Sequence, residues 1–463
     1  MTHNLIARAR ADTLPVTIVR ADGYQAWLRK QPQTRRDWLK QVSFAGATGA
    51  SAVFPAADGE DAGAVFVLGG DSDMWSWSGL ATQLPAGSYR LVGRLSPALA
   101  TEAALGWGMT HYEFTAYRKA RETPRQLVWP AGTDRGAVTR QLDAATLVRD
   151  LINTPAEDMG PSELAAAARK LGRAHRAKVG VIVGDSLLKA NYPMIHTVGR
   201  ASDDAPRLID MSWGTRGPRV TLVGKGVCFD TGGLDIKAAA GMLRMKKDMG
   251  GAAHVLGLAS MIMAAKLPVR LRVLIGAVEN SISGNAYRPL DVLKTRKGIT
   301  VENVNTDAEG RLVLGDCLYE AAREKPDLLI DYATLTGASR VAVGIDLAAL
   351  YCNDDRLAAD LARHGTATAD PVWRLPLYKP YRRMLASKVA DLSSASDGPF
   401  GGGITAALFL NEFVDEDVPW AHFDVMAWNV SSRPGRPEGG ETQAMRAAYA
   451  LIEERFGKPG KPS

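Results

Sequence analysis

The sequence predicts an α/β protein: a large domain with a mostly parallel sheet flanked by helices, preceded by a smaller N-terminal α/β domain. Two observations carry this prediction. Over the later part of the chain, apolar β-rich runs alternate with Ala-rich helical stretches, a pattern typical of buried parallel strands covered on both faces. The chain has 463 residues, more than one small domain needs, which favours two domains. We place their boundary between residues 137 and 138, giving domains of residues 1–137 and 138–463.

The elements of the smaller domain are short. The sequence predicts helices over residues 24–31 and 35–42 and strands over residues 51–56, 63–70 and 89–95. A longer helix should begin near residue 137 and stop at Pro155, because proline cannot donate the amide hydrogen bond that a helix interior requires.

The larger domain contains the alternating pattern. Its predicted strands cover residues 179–184, 219–226, 270–280, 327–335 and 422–428, and its predicted helices cover residues 162–176, 250–267 and 310–324. Ligands of such sheets bind outside the carboxyl ends of the strands. The segments GKGVCFDTGG, residues 224–233, and NTDAEGR, residues 305–311, adjoin strand or helix ends and are therefore placed for chemistry.

Composition restricts the class of protein. Hydrophobic residues make up 46% and charged residues 23%, as in ordinary soluble globular domains. The net charge of +6 permits nucleic acid as a partner, but no long block of basic residues favours it. Cys228, Cys317 and Cys352 form no CxxC pair, which indicates a reducing compartment. We find no signal-type segment and no apolar run of about 18 residues, so we expect a cytoplasmic protein with no membrane contact.

A charged triplet opens the helix predicted near residue 310. Asp307, Glu309 and Arg311 alternate along the chain, so an extended strand end would point all three side chains the same way, whereas a helix would turn Glu309 away. We therefore expect a corner between strand and helix, with Gly310 at the joint. Crowded carboxylates raise one another's pKa unless a positive charge lies between them.

A second charged cluster, residues 223–254, adds further acids. Together with the triplet it offers Asp230, Asp248, Asp307 and Glu309, which suit two divalent cations sharing bridging carboxylates. An oxygen-rich set by itself favours Mg²⁺ or Mn²⁺ over Zn²⁺. The glycines of this cluster would also suit a phosphate loop, but the GxxxxGK[ST] pattern is absent from the sequence.

Three other polar residues have simpler interpretations. Asp235 and Asp316 are expected to be surface charges or helix caps, and His254, on an Ala-rich helix, is expected to be packed. The seven histidines do not cluster, which argues against a His-based zinc site.

Six segments together resemble the leucyl aminopeptidase family of two-metal exopeptidases. They are LVRDLINTPAEDMGPSEL, GKGVCFDTGG, MKKDMGGAA, SGNAYRPLDVL, NTDAEGR and DYATLTGA, in this order within the larger domain. The N-terminal region resembles the family by position and size. The resemblance implies a catalytic domain behind an N-terminal domain that helps to assemble a homohexamer, two zinc or manganese ions per subunit, and a bound bicarbonate.

The resemblance also implies roles for single residues. One cation would be held by Lys225, Asp230, Asp248 and Glu309, and the other by Asp230, Asp307 and Glu309. Lys225 would have to be neutral, which two adjacent cations favour because they depress its pKa. Lys237 would polarise the substrate carbonyl and stabilise the oxyanion, and Arg311 would hold the bicarbonate that serves as general base.

Substrate-binding positions follow from the same resemblance: Met245, Asn305, Thr334, Leu335, Gly337 and Met426. In the well-known mammalian pattern, alanine stands where this chain has Met426, and methionine stands where it has Asn429. A methionine adds bulk, and an asparagine adds a polar group that needs a partner. We expect a shallower or partly polar pocket, in which N-terminal Met or Ala gains on Leu and aromatic residues are disfavoured.

Three alternatives stand beside the aminopeptidase. Some members of the family also bind DNA, which the net positive charge permits, and a nucleotide-binding protein would need the missing phosphate loop. An inactive scaffold should have lost ligands, whereas every position in both metal-binding segments is filled. The sequence therefore favours a metal-dependent aminopeptidase that releases leucine-like or other apolar residues from peptides.

Overall fold

The computed structural model describes residues 3–56, 61–120 and 124–457. Contacts within the chain divide it into two compact units. The first runs to Thr146 and includes Val430–Glu438, and the second comprises Leu147–Asn429 and the chain from Gly439. The division at Thr146 falls inside the helix Arg135–Asn153, as does the boundary expected from the sequence.

The first unit is built on a six-stranded sheet. Its strands are β1 (Leu5–Ile6), β2 (Leu14–Arg20), β3 (Ser51–Phe54), β4 (Gly63–Leu68), β5 (Gly87–Val92) and β6 (Arg125–Val128), and its helices are α1 (Tyr24–Arg29), α2 (Gln33–Gln41), α3 (Met74–Gln83) and α4 (Pro97–Thr110), followed by α5 (Arg135–Asn153). The sheet has the order β1-β6-β5-β2-β4-β3. All neighbours are parallel except β3, which runs antiparallel to β4. Every residue of β4 is buried, so this strand forms the centre of the unit's core.

The second unit contains the larger sheet. Its strands are β7 (Lys178–Val183), β8 (Arg207–Trp213), β9 (Arg219–Asp230), β10 (Arg270–Asn280), β11 (Val292–Lys294), β12 (Thr300–Glu302), β13 (Leu328–Ala333), β14 (Ala348–Cys352), β15 (Val372–Arg374), β16 (Leu392–Ser393), β17 (Trp420–Asp424), β18 (Trp428–Asn429) and β19 (Gly439–Gly440). Its helices are α6 (Pro161–His175), α7 (Ser186–Lys189), α8 (Pro193–Gly199), α9 (Ala239–Met242), α10 (Gly250–Ala264), α11 (Glu309–Ala322), α12 (Gly337–Val343), α13 (Asp355–Ala367), α14 (Gly402–Asn411) and α15 (Met445–Phe456).

Eight of these strands form one sheet with the order β15-β14-β17-β13-β9-β10-β8-β7. The central four, β17, β13, β9 and β10, are mutually parallel, and the flanking pairs β10–β8, β8–β7 and β17–β14 are antiparallel. Helices α6, α10 and α11 pack on β9. The expected fold class, mixed α/β with a mostly parallel sheet flanked by helices, is confirmed.

Individual elements agree with the predictions to different degrees. The predicted strand over residues 270–280 is β10, whereas β9 extends beyond its predicted end at residue 226 to Asp230. The strand expected over residues 422–428 is wrong in part, because β17 ends at Asp424 and Trp428–Asn429 pairs elsewhere, with Gly439–Gly440. The short strand β14, with the sequence AALYC, was not predicted, since two alanines dilute its β-type composition.

The carboxyl ends of the parallel strands lie close to the start of α10 because a glycine permits it. A Cβ atom at Gly251 would lie 2.1 Å from the carbonyl oxygen of Tyr332 and 2.8 Å from the amide nitrogen of Lys225. No real side chain tolerates such distances, so glycine is required for this helix to reach the sheet. The approach brings the segment before α10 next to the end of β9.

Two further predictions concern the chain as a whole. The three cysteines are buried and free. In residues 3–56, 61–120 and 124–457, no helix is long and apolar enough to cross a membrane.

Candidate active site

The predicted metal-ligating residues lie together at the carboxyl end of the central strands. Lys225 and Asp230 lie on β9, Asp248 lies on the 3₁₀ helix Met245–Met249, Asp307 lies on the 3₁₀ helix Thr306–Ala308, and Glu309 is the first residue of α11. Carboxylate oxygens of Asp230, Asp307 and Glu309 lie within 4.8 Å of one another. Two lysines contact these acids and divide the site into two halves. The inner half surrounds Lys225, and the outer half surrounds Lys237.

The inner half is buried. Lys225 is 2% exposed, and its Nζ lies 2.6 Å from Asp248 Oδ2 and 2.9 Å from Glu309 Oε1. It also donates a hydrogen bond to the carbonyl oxygen of Thr334 at 2.9 Å. Burial alone would lower the pKa of Lys225, but the surrounding carboxylates, Asp248 first, raise it above its ordinary value. With no cation bound, Lys225 is therefore the charge that neutralises this half.

The outer half is more accessible. Lys237 Nζ lies 2.8 Å from Asp230 Oδ2 and also contacts Asp307. The other oxygen of Asp230 accepts hydrogen bonds from Asn280 Nδ2 at 2.8 Å and from the amide of Gly232 at 2.9 Å. Asn280 was not predicted, although it ends β10 and the strand-end rule that selected Asp230 would have found it.

The acids still repel one another. Burial, together with the charge of Asp230, raises the pKa of Glu309 to about 8, and the same two causes raise the pKa of Asp307. Glu309 Oε2 is buried and accepts no hydrogen bond from any described residue. An unsatisfied buried carboxylate oxygen costs free energy, and hard divalent cations prefer oxygen ligands of this kind. The donor set therefore fits a cation.

The charged triplet does not have the geometry expected from the sequence. It is helical, not extended: the side chain of Asn305 accepts a hydrogen bond from the amide of Asp307 at 2.8 Å and begins the 3₁₀ turn that leads into α11. In this helical turn the side chain of Glu309 is buried, and its carboxylate contacts Lys225. The site therefore surrounds the helix N-terminus instead of lining one side of a strand.

Gly310 is not a joint but part of α11. A Cβ atom at this position would lie 2.4 Å from Lys225 Cε and 2.7 Å from Lys225 Nζ. The absence of a side chain at Gly310 is what leaves room for the inner lysine.

Arg311 is buried beside the cluster. Its Nη1 donates to the carbonyl oxygen of Ser394 at 2.9 Å, while its Nε has no partner among the described residues. Burial lowers the pKa of Arg311 to about 10, so the group remains a cation at neutral pH. The unpartnered N–H is suited to a small anion.

The predicted substrate-binding residues do not all adjoin the same half: Asn305 accepts a hydrogen bond from the amide of Asp307 in the outer half, whereas Thr334 contacts the inner half. Thr334 Oγ1 donates to Asp248 Oδ1 at 2.7 Å, and the amide of Leu335 donates to Asp424 Oδ1 at 2.9 Å. Met426, which is 8% exposed, follows Asp424 by two residues. Asp424 was not predicted and holds the segment that leads to Gly337.

Asn429 has the partner that its polar group was expected to need. Its Nδ2 donates to Glu441 Oε2 at 2.7 Å, and Glu441 accepts hydrogen bonds from the guanidinium of Arg149. The amide of Asn429 is thus engaged with a buried ion pair.

The residues set aside in the sequence have structural contacts. His254 is fully buried, and the amide of Gln443 donates to its Nε2 at 2.9 Å, so it is packed as predicted. Asp235 Oδ2 accepts from the amide of Thr306 at 2.8 Å. Asp316 is not at the surface: it is fully buried and accepts hydrogen bonds from two backbone amides.

Comparisons with known proteins agree with this arrangement. Residues 146–449 match the model of the cytosol aminopeptidase family, catalytic domain, and residues 14–130 match that of the M17 aminopeptidase, N-terminal domain. The chain belongs to the cytosol aminopeptidase family. It is therefore a hydrolase of the metal-dependent aminopeptidase type, and the resemblance seen in the sequence is confirmed.

Several relatives of the family span most of this chain. A probable cytosol aminopeptidase of Rhizobium meliloti (strain 1021) is 43% identical over 344 residues, 70% of this chain and 69% of the relative. One of Rhodopseudomonas palustris (strain BisA53) is 36% identical over 459 residues, 91% and 90% of the two chains.

Solved structures show the same fold over nearly the whole length. The cytosol aminopeptidase of Coxiella burnetii superposes with a TM-score of 0.93 at 46% identity, covering 98% of this chain and 99% of that one. The bottromycin maturation enzyme BotP in complex with Mn superposes with a TM-score of 0.84 at 31% identity, covering 96% and 100%.

Proposed function

We propose that this member of the cytosol aminopeptidase family hydrolyses the N-terminal peptide bond of peptides and releases leucine-like or other apolar amino acids. The observation that carries the proposal is the convergence of Lys225, Asp230, Asp248, Asp307 and Glu309 at one edge of the sheet, where Glu309 Oε2 accepts no hydrogen bond from the described residues. This donor set has the composition of a two-cation site.

The five residues would hold two divalent cations, with Asp230 and Glu309 bridging. Zinc and manganese are the candidates, and the relative solved in complex with Mn supports manganese. When bound, the cations would polarise the scissile carbonyl and activate the attacking water. Lys225 would serve as a neutral ligand, which requires it to give up the proton that the carboxylates now stabilise.

Lys237 would stabilise the oxyanion. Its side chain is 16% exposed, so a substrate can reach it, whereas Lys225 is enclosed. Asp230 and Asp307 orient its ammonium towards the cluster, and a preoriented cation at a developing oxyanion stabilises the transition state more than the ground state.

Arg311 would hold a bicarbonate that accepts the proton of the attacking water. The support is its buried Nε, which no described residue contacts as a hydrogen-bond acceptor. Among the described residues, no histidine forms an ion pair with the carboxylate cluster, so a bound anion would supply a base that these side chains do not.

The first side chain of the substrate would contact Met245, Thr334, Gly337 and Met426, and Asn305 and Leu335 would also bind the substrate. We further propose a cytoplasmic homohexamer, which the exposed apolar side chains Leu243, Val341 and Phe400 support. The N-terminal unit would contribute to that assembly.

The proposal is tested by stripping the metal with a chelator, reloading the protein with Mn²⁺, Zn²⁺ or Mg²⁺, and measuring turnover of amino-acid p-nitroanilides. We expect no turnover without metal and recovery with Mn²⁺ or Zn²⁺. Full activity in verified metal-free protein would contradict the proposal.

A further inference from the structure

A positively charged side chain, that of Arg340, lies beside the pocket proposed for the first substrate side chain. The guanidinium of Arg340 folds back over Gly337, where a Cβ atom would lie 3.6 Å from its Nη2, and its Nη1 lies 3.7 Å from the sulfur of Met426. Both contacts are with residues assigned to the pocket. Arg340 is exposed, and no acid in the described ranges forms an ion pair with it.

Lys247 is a second positively charged side chain, and it is close enough to Arg340 and Asp424 to interact electrostatically with both. It lies between Met245 and Asp248 on one 3₁₀ helix and is 5% exposed. Its ammonium makes no hydrogen bond or ion pair with any residue that the structure describes. The adjacent Lys246 differs, since it donates to the carbonyl oxygen of Asn153. A buried ammonium without a partner is costly unless an anion approaches it.

Burial lowers the pKa of Lys247, whereas two acids raise it, Asp248 first and then Asp424, and both are already engaged: Asp248 Oδ2 lies 2.6 Å from Lys225 Nζ. Asp424 acts electrostatically on Lys247, but Asp424 Oδ1 accepts from the amide of Leu335 at 2.9 Å and Oδ2 accepts from Thr336 Oγ1 at 2.6 Å. Its carboxylate therefore holds the 335–336 segment in place. The two cations remain available to a ligand.

We propose that Arg340 and Lys247 form a cationic end of the first-side-chain pocket, so that the enzyme also releases an N-terminal glutamate in addition to apolar residues. This inference rests on the proposed aminopeptidase function. The aliphatic stem of glutamate would pack on Met245 and Met426, as a methionine side chain would, and its carboxylate would accept charge-assisted hydrogen bonds from Arg340. Aspartate, which is shorter by one methylene, should be a poorer substrate.

The test compares three side chains of similar length, Glu, Gln and Met, as p-nitroanilides of the manganese-loaded enzyme. Glu and Gln have the same shape, so the ratio of their kcat/KM values isolates the charge. We expect the wild-type ratio of Glu to Gln to be about tenfold or more, the scale of one charge-assisted hydrogen bond. Arg340→Met should lower that ratio by about tenfold, and Lys247→Met should also lower it.

A matched control is Arg356→Met. Arg356 is an exposed arginine of the same unit, on α13, and its replacement should leave the Glu to Gln ratio at the wild-type value. Charge reversal gives a second variant at an exposed position: Arg340→Glu should shift preference from N-terminal Glu to N-terminal Lys.

The outcomes separate this inference from the proposed function. If the loaded enzyme cleaves the Met substrate but prefers Gln to Glu, or if Arg340→Met keeps the wild-type ratio, the cationic end is refuted and the aminopeptidase stands. If none of the three substrates is cleaved by the loaded enzyme, both are refuted.

Discussion

Glu309 and Asp316 are two buried carboxylates on the same helix, α11, about two turns apart. Glu309 is 1% exposed and Asp316 is 0% exposed. Burial is the main cause of a raised pKa in both, to about 8 for Glu309 and to about 7 for Asp316. By burial and pKa alone, the two residues would be equal candidates for a functional role.

Their partners distinguish them. Asp316 Oδ1 accepts from the amide of Arg296 at 2.8 Å and Oδ2 accepts from the amide of Met194 at 2.9 Å, so both oxygens are satisfied by the backbone. Glu309 Oε1 contacts the ammonium of Lys225, and Oε2 has no partner among the described residues. A raised pKa therefore does not identify a functional carboxylate by itself; a free oxygen facing other charges does.

The largest expected effect comes from neutralising each carboxylate in turn. Glu309→Gln should lose bound metal and nearly all turnover, because the amide removes a negative charge shared by both proposed cations. Asp316→Asn should keep its metal. Metal content by elemental analysis and kcat check both, and a Glu309→Gln protein with full metal and wild-type kcat would remove the distinction between the two residues.

Lys237→Ala tests the accessible half of the site. We expect kcat to fall by roughly two to three orders of magnitude, the scale for losing one oxyanion donor, with a smaller change in KM. Steady-state kinetics with one p-nitroanilide substrate separates the two parameters. An unchanged kcat would place Lys237 outside the mechanism.

Gly310→Ala tests whether Glu309 depends on the position of Lys225. The new methyl group would lie 2.4 Å from Lys225 Cε, and such overpacking costs about 1–3 kcal/mol. We expect metal affinity to weaken by about tenfold while helix content is retained. Gly79→Ala on α3, where the nearest atom would lie 3.9 Å away, is the control; equal metal affinities in the two variants would contradict the expectation.

The smallest effect concerns pH and stability at Asp316. Its pKa in the folded protein, about 7, lies above the ordinary value of 3.8, so its proton stabilises the folded state. That contribution is fully present below about pH 4 and is lost as pH rises to about 7. The free energy of unfolding of metal-free wild type should therefore fall relative to that of Asp316→Asn across this window. Denaturant titrations at several pH values measure it, and parallel pH profiles would show that Asp316 keeps an ordinary pKa.

Local sequence patterns were sufficient for the elements that carry the site. The run Arg270–Asn280 has the apolar composition of a buried strand and is a strand over its whole length. The acids that follow strands were expected to meet because the carboxyl ends of parallel strands share one edge, and Asp230, Asp307 and Glu309 do meet there. The predicted direction of the Glu309 side chain was wrong, because the two-residue period of a strand was applied to residues that begin a helix.

What the sequence by itself determined is the fold class, the family and the group of residues that converge at the sheet edge, because periodicity and motif spacing are local properties. The tertiary structure decided which lysine neutralises which acid, why Gly310 must lack a side chain, and that Arg340 lies over Met426. Apart from the contact of Lys237 with Asp230, these contacts join segments distant in sequence. Side-chain direction and free space at such contacts are set by the packing of helices on the sheet, which no local pattern specifies.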